Sequence, residues 1–180
     1  MRLVLAAAAA VLTRALQPTV LVTDGLAPCG FERLVERGAR IVEPDGSLQE
    51  ALRTADGVIV RSATTLTATL IAEAPSLRCI GRAGVGLDNI DLDAASKRSI
   101  PVVTSAGAST RAVSELCMAH LLQCARGLIQ GDRATQSGAF KAFKGQAASS
   151  AHELGGKKLG LLGFGRIARV LTQREESAST

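Results

Sequence analysis

A chain of 180 residues has room for one domain, or one domain and part of a second, and its 47% apolar content is enough for a real core. With four Phe and neither Tyr nor Trp, that core must be aliphatic. The formal charge of +5 comes from scattered Lys and Arg without interleaved aromatics, which excludes a nucleic-acid surface.

Cys29, Cys79, Cys117 and Cys124 form no CxxC pair and have no His at ligand spacing, so no metal site is expected. Cys117 and Cys124 lie on a helical pattern and are expected to be buried free thiols, which points to a reducing, cytoplasmic setting. The first seventeen residues hold two Arg, no acid and a ten-residue apolar run from Leu3 to Leu12. That run is too short to span a bilayer, so no membrane partner is expected. Residues 1–18 are expected to be a helical or frayed extension, with a cleavable targeting peptide as the alternative.

From Thr19 the chain alternates β-branched runs with helical stretches. Strands are expected at Thr19–Thr23, Ala39–Glu43, Gly57–Val60, Leu77–Gly81 and Ile100–Val103. Helices are expected at Phe31–Arg37, stopped by Gly38, then at Leu48–Thr54, Thr67–Ala74 and Leu92–Arg98. Five β-α repeats imply a parallel sheet with right-handed crossovers, buried on both faces. Pro101 requires the start of its strand or a sheet edge.

Thr110–Arg126 is the longest expected helix, with Val113, Cys117, Leu121 and Cys124 near helical spacing. Beyond it, Gly127, Gly131, Gly138, Gly145 and the run to Ala151 predict a looser, polar stretch. One more strand is expected at Lys158–Leu162. The domains divide as 19–106, the parallel-sheet unit, and 107–180, the crossing helix with the start of a second unit.

Gly163-Phe164-Gly165-Arg166-Ile167-Ala168 is a G-x-G-x-x-A turn between an apolar run and a helix. Gly163 would allow the tight turn and Gly165 the approach of a pyrophosphate to the helix N-terminus. Ala168 would allow close helix–strand packing. A plain strand-turn-helix elbow is the alternative. The acidic residue that would hold the ribose is expected about 20 positions on. Glu175 and Glu176 come too early for it.

Two further segments follow strands at their carboxyl ends, where open α/β sheets bind ligands. The first is Arg61-Ser62-Ala63-Thr64. The second is Gly81-Arg82-Ala83-Gly84-Val85-Gly86-Leu87-Asp88-Asn89-Ile90-Asp91. Arg61 suits a phosphate or carboxylate because its guanidinium binds bidentately; a surface ion pair is the alternative. Gly84 and Gly86 would let backbone N–H groups face an anion, or would simply make a turn.

These strings, with the turn at Gly163, resemble the D-isomer-specific 2-hydroxyacid dehydrogenases from about Thr19 to Ala168. The resemblance implies a flavodoxin-like substrate domain followed by the start of a Rossmann NAD-binding domain. It implies NAD-dependent oxidation of a small phosphorylated 2-hydroxyacid, 3-phosphoglycerate to 3-phosphohydroxypyruvate on the way to L-serine, by an enzyme type that is usually homo-oligomeric. Substrate contacts carry over to Arg61, Ser62, Ala83, Gly84 and Val85. Cofactor contacts carry over to Val85, Gly163, Gly165, Arg166, Ile167 and Ala168.

Two departures stand out. Val85 takes the place of a frequent Thr, and the family's N-T-P-x-x-N-S turn stands here as Thr104-Ser105-Ala106-Gly107-Ala108-Ser109-Thr110, without either asparagine. Ser114-Glu115-Leu116 matches the start of the family's long inter-domain helix. The family's catalytic Arg, Glu and His lie well past the dinucleotide turn, so no catalytic residue is expected among these 180. His120 and His152 are expected in bland core or surface roles. The chain then reads as a C-terminally truncated copy, inactive alone. The alternative is a non-catalytic fragment or splice form that associates with a full-length subunit. A flavodoxin-like regulatory domain is disfavoured because no acidic phospho-acceptor pocket is evident.

Overall fold

A computed structural model of the chain describes residues 17–177. The N-terminal extension expected over 1–18 therefore lies, save its last two residues, outside the described residues. Two compact units meet between Ala106 and Gly107.

The first unit is the expected alternation. Strands β1 (Thr19–Val22), β2 (Arg40–Val42), β3 (Gly57–Val60), β4 (Cys79–Arg82) and β5 (Val102–Thr104) form one sheet in the order β2-β1-β3-β4-β5. Every pairing is parallel. That is the flavodoxin-like order, whose direction of winding reverses between β1 and β3. Edge strand β5 begins one residue after Pro101, whose carbonyl accepts the Ile80 N–H at 3.0 Å while its missing N–H is not needed.

Helices α1 (Pro28–Glu36), α2 (Leu48–Thr54), α3 (Ala68–Ala72) and α4 (Leu92–Lys97) connect the strands. Helix α1 starts three residues earlier than expected, with Pro28 in its first turn, where a missing N–H costs nothing. It ends as expected at Gly38, φ 80°, with Ala39 N–H bonding Leu34 O at 3.0 Å and Gly38 N–H bonding Val35 O at 2.8 Å. Helix α3 is shorter than expected. Its N-cap Thr67 accepts Leu70 N–H at 3.3 Å, and the Arg98 guanidinium takes the Ile71, Ala74 and Pro75 carbonyls at its far end.

Strand alternation divides the core between the two sheet faces. Leu21, Val58, Val60 and Ile80 join Leu52, Ile71 and Ile100 in the larger cluster, under α2, α3 and α4. Val20, Val22, Ile59 and Cys79 meet Leu34 of α1 on the other. All four residues of β3 are buried, as a central parallel strand requires.

The second unit differs from expectation in two places. Its polar stretch is helical: α5 (Thr110–Arg126) is followed by α6 (Leu128–Gln136) and α7 (Phe140–Ser150). Only Gly127 (φ 62°) and Gly138 (φ 73°) break the chain. Gly131 sits inside a helix because the Phe143 ring packs on it: a Cβ there would stand 3.0 Å from Cε1.

Second, Lys158–Leu162 is not a strand. A strand needs a ladder partner, and no strand exists among the described residues of this unit. Leu159 and Leu162 are exposed there. Helix α8 (Arg166–Ser177) follows and packs on α5, where Ser114 and Leu171 are buried.

All four cysteines are free. Contrary to expectation, Cys124 is exposed and Cys117 only half-buried, because α5 leaves much of its surface open; Cys79 is the buried one. Burial pushes its thiol up to about 11. No described helix is long and apolar enough to cross a membrane.

Cys79 faces Gly57 in register, and a Cβ on Gly57 would stand 2.9 Å from its Sγ. Gly57→Ala is therefore expected to destabilise the chain by about 1–3 kcal/mol. Adding Cys79→Ala should recover part of the loss in urea unfolding; strictly additive losses would mean that this contact is not the cause.

Candidate functional site

In a sheet of this order the ligand crevice lies outside the carboxyl ends of the strands, at the reversal between β1 and β3. The first residues past those two strands meet there. Asp24, just beyond β1, accepts Arg61 N–H at 2.6 Å and Thr64 N–H at 3.2 Å through Oδ2. Its Oδ1 accepts the Thr64 hydroxyl at 2.6 Å. Partial burial alone would raise the Asp24 pKa. The bonds from the Thr64 hydroxyl and the Arg61 and Thr64 amides outweigh it and hold the carboxyl below its ordinary 3.8. Asp24 follows directly on the expected strand Thr19–Thr23 and was not singled out from the sequence.

Arg61 and Ser62 are exposed on this turn. The Arg61 guanidinium makes no ion pair or hydrogen bond among the described residues, so the surface ion pair weighed above is not formed.

The turn after β4 lies alongside. Arg82 stands in register with Val60, and Ala83 N–H bonds Val60 O at 2.9 Å. Ala83 and Gly84 are half-buried and Val85 is exposed, so the five proposed substrate residues sit on adjacent strand ends. Gly84 permits a close approach. A Cβ there would fall 1.7 Å from Arg82 Nη1, so the guanidinium folds directly over the glycine. Ser105 N–H bonds Arg82 O at 3.1 Å and Gly84 O at 3.0 Å, pinning the turn to the end of β5. Arg82 Nε is buried without a partner.

The rest of the signature string is structural. Asn89, 7% exposed, donates from Nδ2 to Arg61 O at 2.7 Å and Thr64 O at 2.6 Å. Leu66 N–H bonds Asn89 O at 2.8 Å, and Asp91 caps α4 by accepting Ala94 N–H at 2.8 Å. Neither Arg82 nor Asn89 was singled out from the sequence, although both lie inside the quoted string.

In the second unit, Gly163 has φ 91°, which favours glycine, and neither Gly163 nor Gly165 has an atom within 4 Å of a would-be Cβ. Gly165 O accepts Arg169 N–H at 3.1 Å, so the helix that carries Arg166, Ile167 and Ala168 opens at this turn. Its first amides have no intrahelical acceptors, and they suit a diphosphate. The open backbone at both glycines fits that group. His120 on α5 and His152 after α7 are both exposed, and neither side chain bonds a carboxylate among the described residues.

Comparison with known proteins defines the class. The chain matches D-isomer specific 2-hydroxyacid dehydrogenase, catalytic domain, over residues 20–178. It belongs to this family. Among its relatives, D-3-phosphoglycerate dehydrogenase of Sus scrofa is 37% identical over 164 residues, 88% of this chain and 30% of that protein. The enzyme of the same name from Mycobacterium tuberculosis is 38% identical over 160 residues, 87% and 30%. The chain thus spans about 30% of the length of these relatives. The solved NAD-dependent formate dehydrogenase of Staphylococcus aureus, in complex with NAD, superposes with a TM-score of 0.72 at 29% identity over 87% of this chain and 53% of that one.

The lowered Asp24 pKa has a defined consequence for stability. A carboxyl whose folded pKa is depressed stabilises the fold fully above its unfolded value, here 3.8, and loses that contribution as pH falls through the folded value. Urea unfolding between pH 5 and pH 2.5 should show a steeper loss for the natural chain than for Asp24→Asn. Parallel pH profiles would remove the carboxylate from this account.

Proposed function

We propose that the chain serves an NAD-dependent 2-hydroxyacid dehydrogenase that oxidises 3-phosphoglycerate to 3-phosphohydroxypyruvate, in a cytoplasmic setting suited to its free thiols. Residues 19–106 form the substrate domain. The observation that carries the reading is the pair of arginines on adjacent strand ends at the crevice. The Arg61 guanidinium is unpaired among the described residues, and Arg82 lies over Gly84 with a buried Nε that has no partner among them. A phosphorylated hydroxyacid bears two anionic groups, and planar guanidinium forks match both phosphate and carboxylate. Ser62 adds a hydroxyl donor, and the backbone at Ala83, Gly84 and Val85 shapes the floor of the turn.

Bound NAD would supply the hydride acceptor. Gly163, Gly165, Arg166, Ile167 and Ala168 would hold its diphosphate at the opening of α8. We assign the proton transfer to neither histidine. Such a group is oriented by a carboxylate and reaches the substrate hydroxyl, and His120 and His152 have no such partner among the described residues. A second reading, a binding module that associates with a full-length subunit, draws on the exposed Leu159 and Leu162. Co-purification with intact D-3-phosphoglycerate dehydrogenase would favour it.

Calorimetric titration of the 180-residue chain with 3-phosphoglycerate tests the main reading. Arg61→Ala should weaken binding about 10- to 100-fold, the loss expected for charge-assisted hydrogen bonds. Gly84→Ala should weaken binding with little change in melting temperature, because it displaces only the flexible end of Arg82. The chain alone should form no NADH from 3-phosphoglycerate and NAD. Binding indifferent to Arg61 would defeat the proposal.

A further inference from the structure

The turn from Arg61 to Thr64 is held by side chains from both neighbouring loops. Its two terminal amides and the Thr64 hydroxyl donate to one carboxylate, that of Asp24. Its two terminal carbonyls accept from one amide group, that of Asn89. Regular secondary structure satisfies none of these four backbone groups, so the turn depends on the two side chains.

The placement of charge is unusual for an anion site. An acid beside a ligand-binding arginine would ordinarily neutralise it. Here the Asp24 carboxylate is occupied by three donors from the turn, and the Arg61 guanidinium makes no ion pair among the described residues. The carboxylate therefore organises the backbone that carries the cation without consuming the cation itself.

We propose that Asp24 is a positioning residue of the anion site, its carboxylate clamping the Arg61–Thr64 turn from the β1 side, opposite Asn89, so that Arg61 is presented to the substrate's anionic group. The inference rests on the reading of Arg61 as an anion ligand. It deepens that reading by naming the group that sets the arginine's geometry and, through it, affinity for phosphorylated hydroxyacids.

The test compares the full chain with Asp24→Ala, Asp24→Asn, Thr64→Val and Arg61→Ala, titrated with 3-phosphoglycerate and with inorganic phosphate. Asp24→Ala removes the acceptor and should weaken 3-phosphoglycerate binding about tenfold, as expected for hydrogen bonds to a charged group. Asp24→Asn should recover most of that affinity. Its amide oxygen still accepts from the Arg61 and Thr64 amides, and its NH2 can donate to the Thr64 hydroxyl.

This rescue separates positioning from charge. If Asp24 acted only through its field, both variants would lose the same negative charge and both would bind the anion more tightly than the natural chain. Asp24→Ala binding as tightly as the natural chain or better, or Asp24→Asn binding as weakly as Asp24→Ala, overturns the inference. Should Asp24→Ala fail to fold by circular dichroism, Thr64→Val decides. It removes only the Oδ1 bond and should weaken binding severalfold in a chain that still folds by circular dichroism, and unchanged affinity overturns the clamp. A natural chain that binds neither anion, or an Arg61→Ala variant that binds like it, sinks the anion-site reading and this inference together. Arg61 dependence without Asp24 dependence sinks this inference alone.

Discussion

A parallel sheet delivers all its strands to one edge, and the backbone leaving that edge has no ladder left to satisfy its polar groups. This constraint organises the first unit. Past Val22, Val60 and Arg82 the chain must turn within a few residues, and each turn exposes amides and carbonyls beside the buried ends of aliphatic strands. The chain meets the requirement with side chains. Asp24 takes amides, Asn89 supplies hydrogens to carbonyls, and Ser105 ties the end of β5 to the turn after β4. Because acidic and amide groups carry out this work, the two arginines at the same edge keep donors to spare.

The signature string after β4 acquires a physical meaning from this. Gly84 is glycine because the Arg82 guanidinium occupies the place of a side chain there. Asn89 is an amide because two carbonyls 2.6–2.7 Å away need donors, and Asp91 is a carboxylate because α4 needs a cap. A string that looks like a ligand-binding motif is thus in large part a knot joining the turn after β3 to the turn after β4. Of the proposed substrate contacts, Arg61, Ser62 and Val85 stay exposed outside this knot.

The alternation of strands and helices was legible because it is written in local chemistry. Aliphatic runs such as Gly57–Val60, a Gly at 38 and a Pro at 101 each have one inexpensive placement. The residues proposed for the site on the strand ends stand out in the sequence only through the two strings they belong to. Asp24 was not, since its partners lie 37 and 40 residues away and nothing around it in the chain marks them. The topology supplies the missing signal: once the order β2-β1-β3 is known, the first polar residue after β1 must face the first residues after β3. Glycines misled for a related reason. Gly127 and Gly138 break helices through positive φ, whereas Gly131 lies within one because Phe143 packs there. Composition treats the three alike, and only their backbone conformation and packing in the fold tell them apart.

The second unit carries the same distinction between local and distant determinants further. The turn at Gly163 and the helix after it need only a glycine with φ 91° and a run of helix-forming residues, and both are in place. The segment Lys158–Leu162 has an equally suggestive composition, yet a strand is a relation between two segments, and no described residue of this unit offers the second. Its leucines stay exposed while Leu171 of α8, which has α5 to pack against, is buried. A turn of the type proposed here for a diphosphate can therefore take its local shape without a strand beside it, because the amides that would face an anion belong to the helix, whereas holding that helix against a sheet is a separate, long-range task.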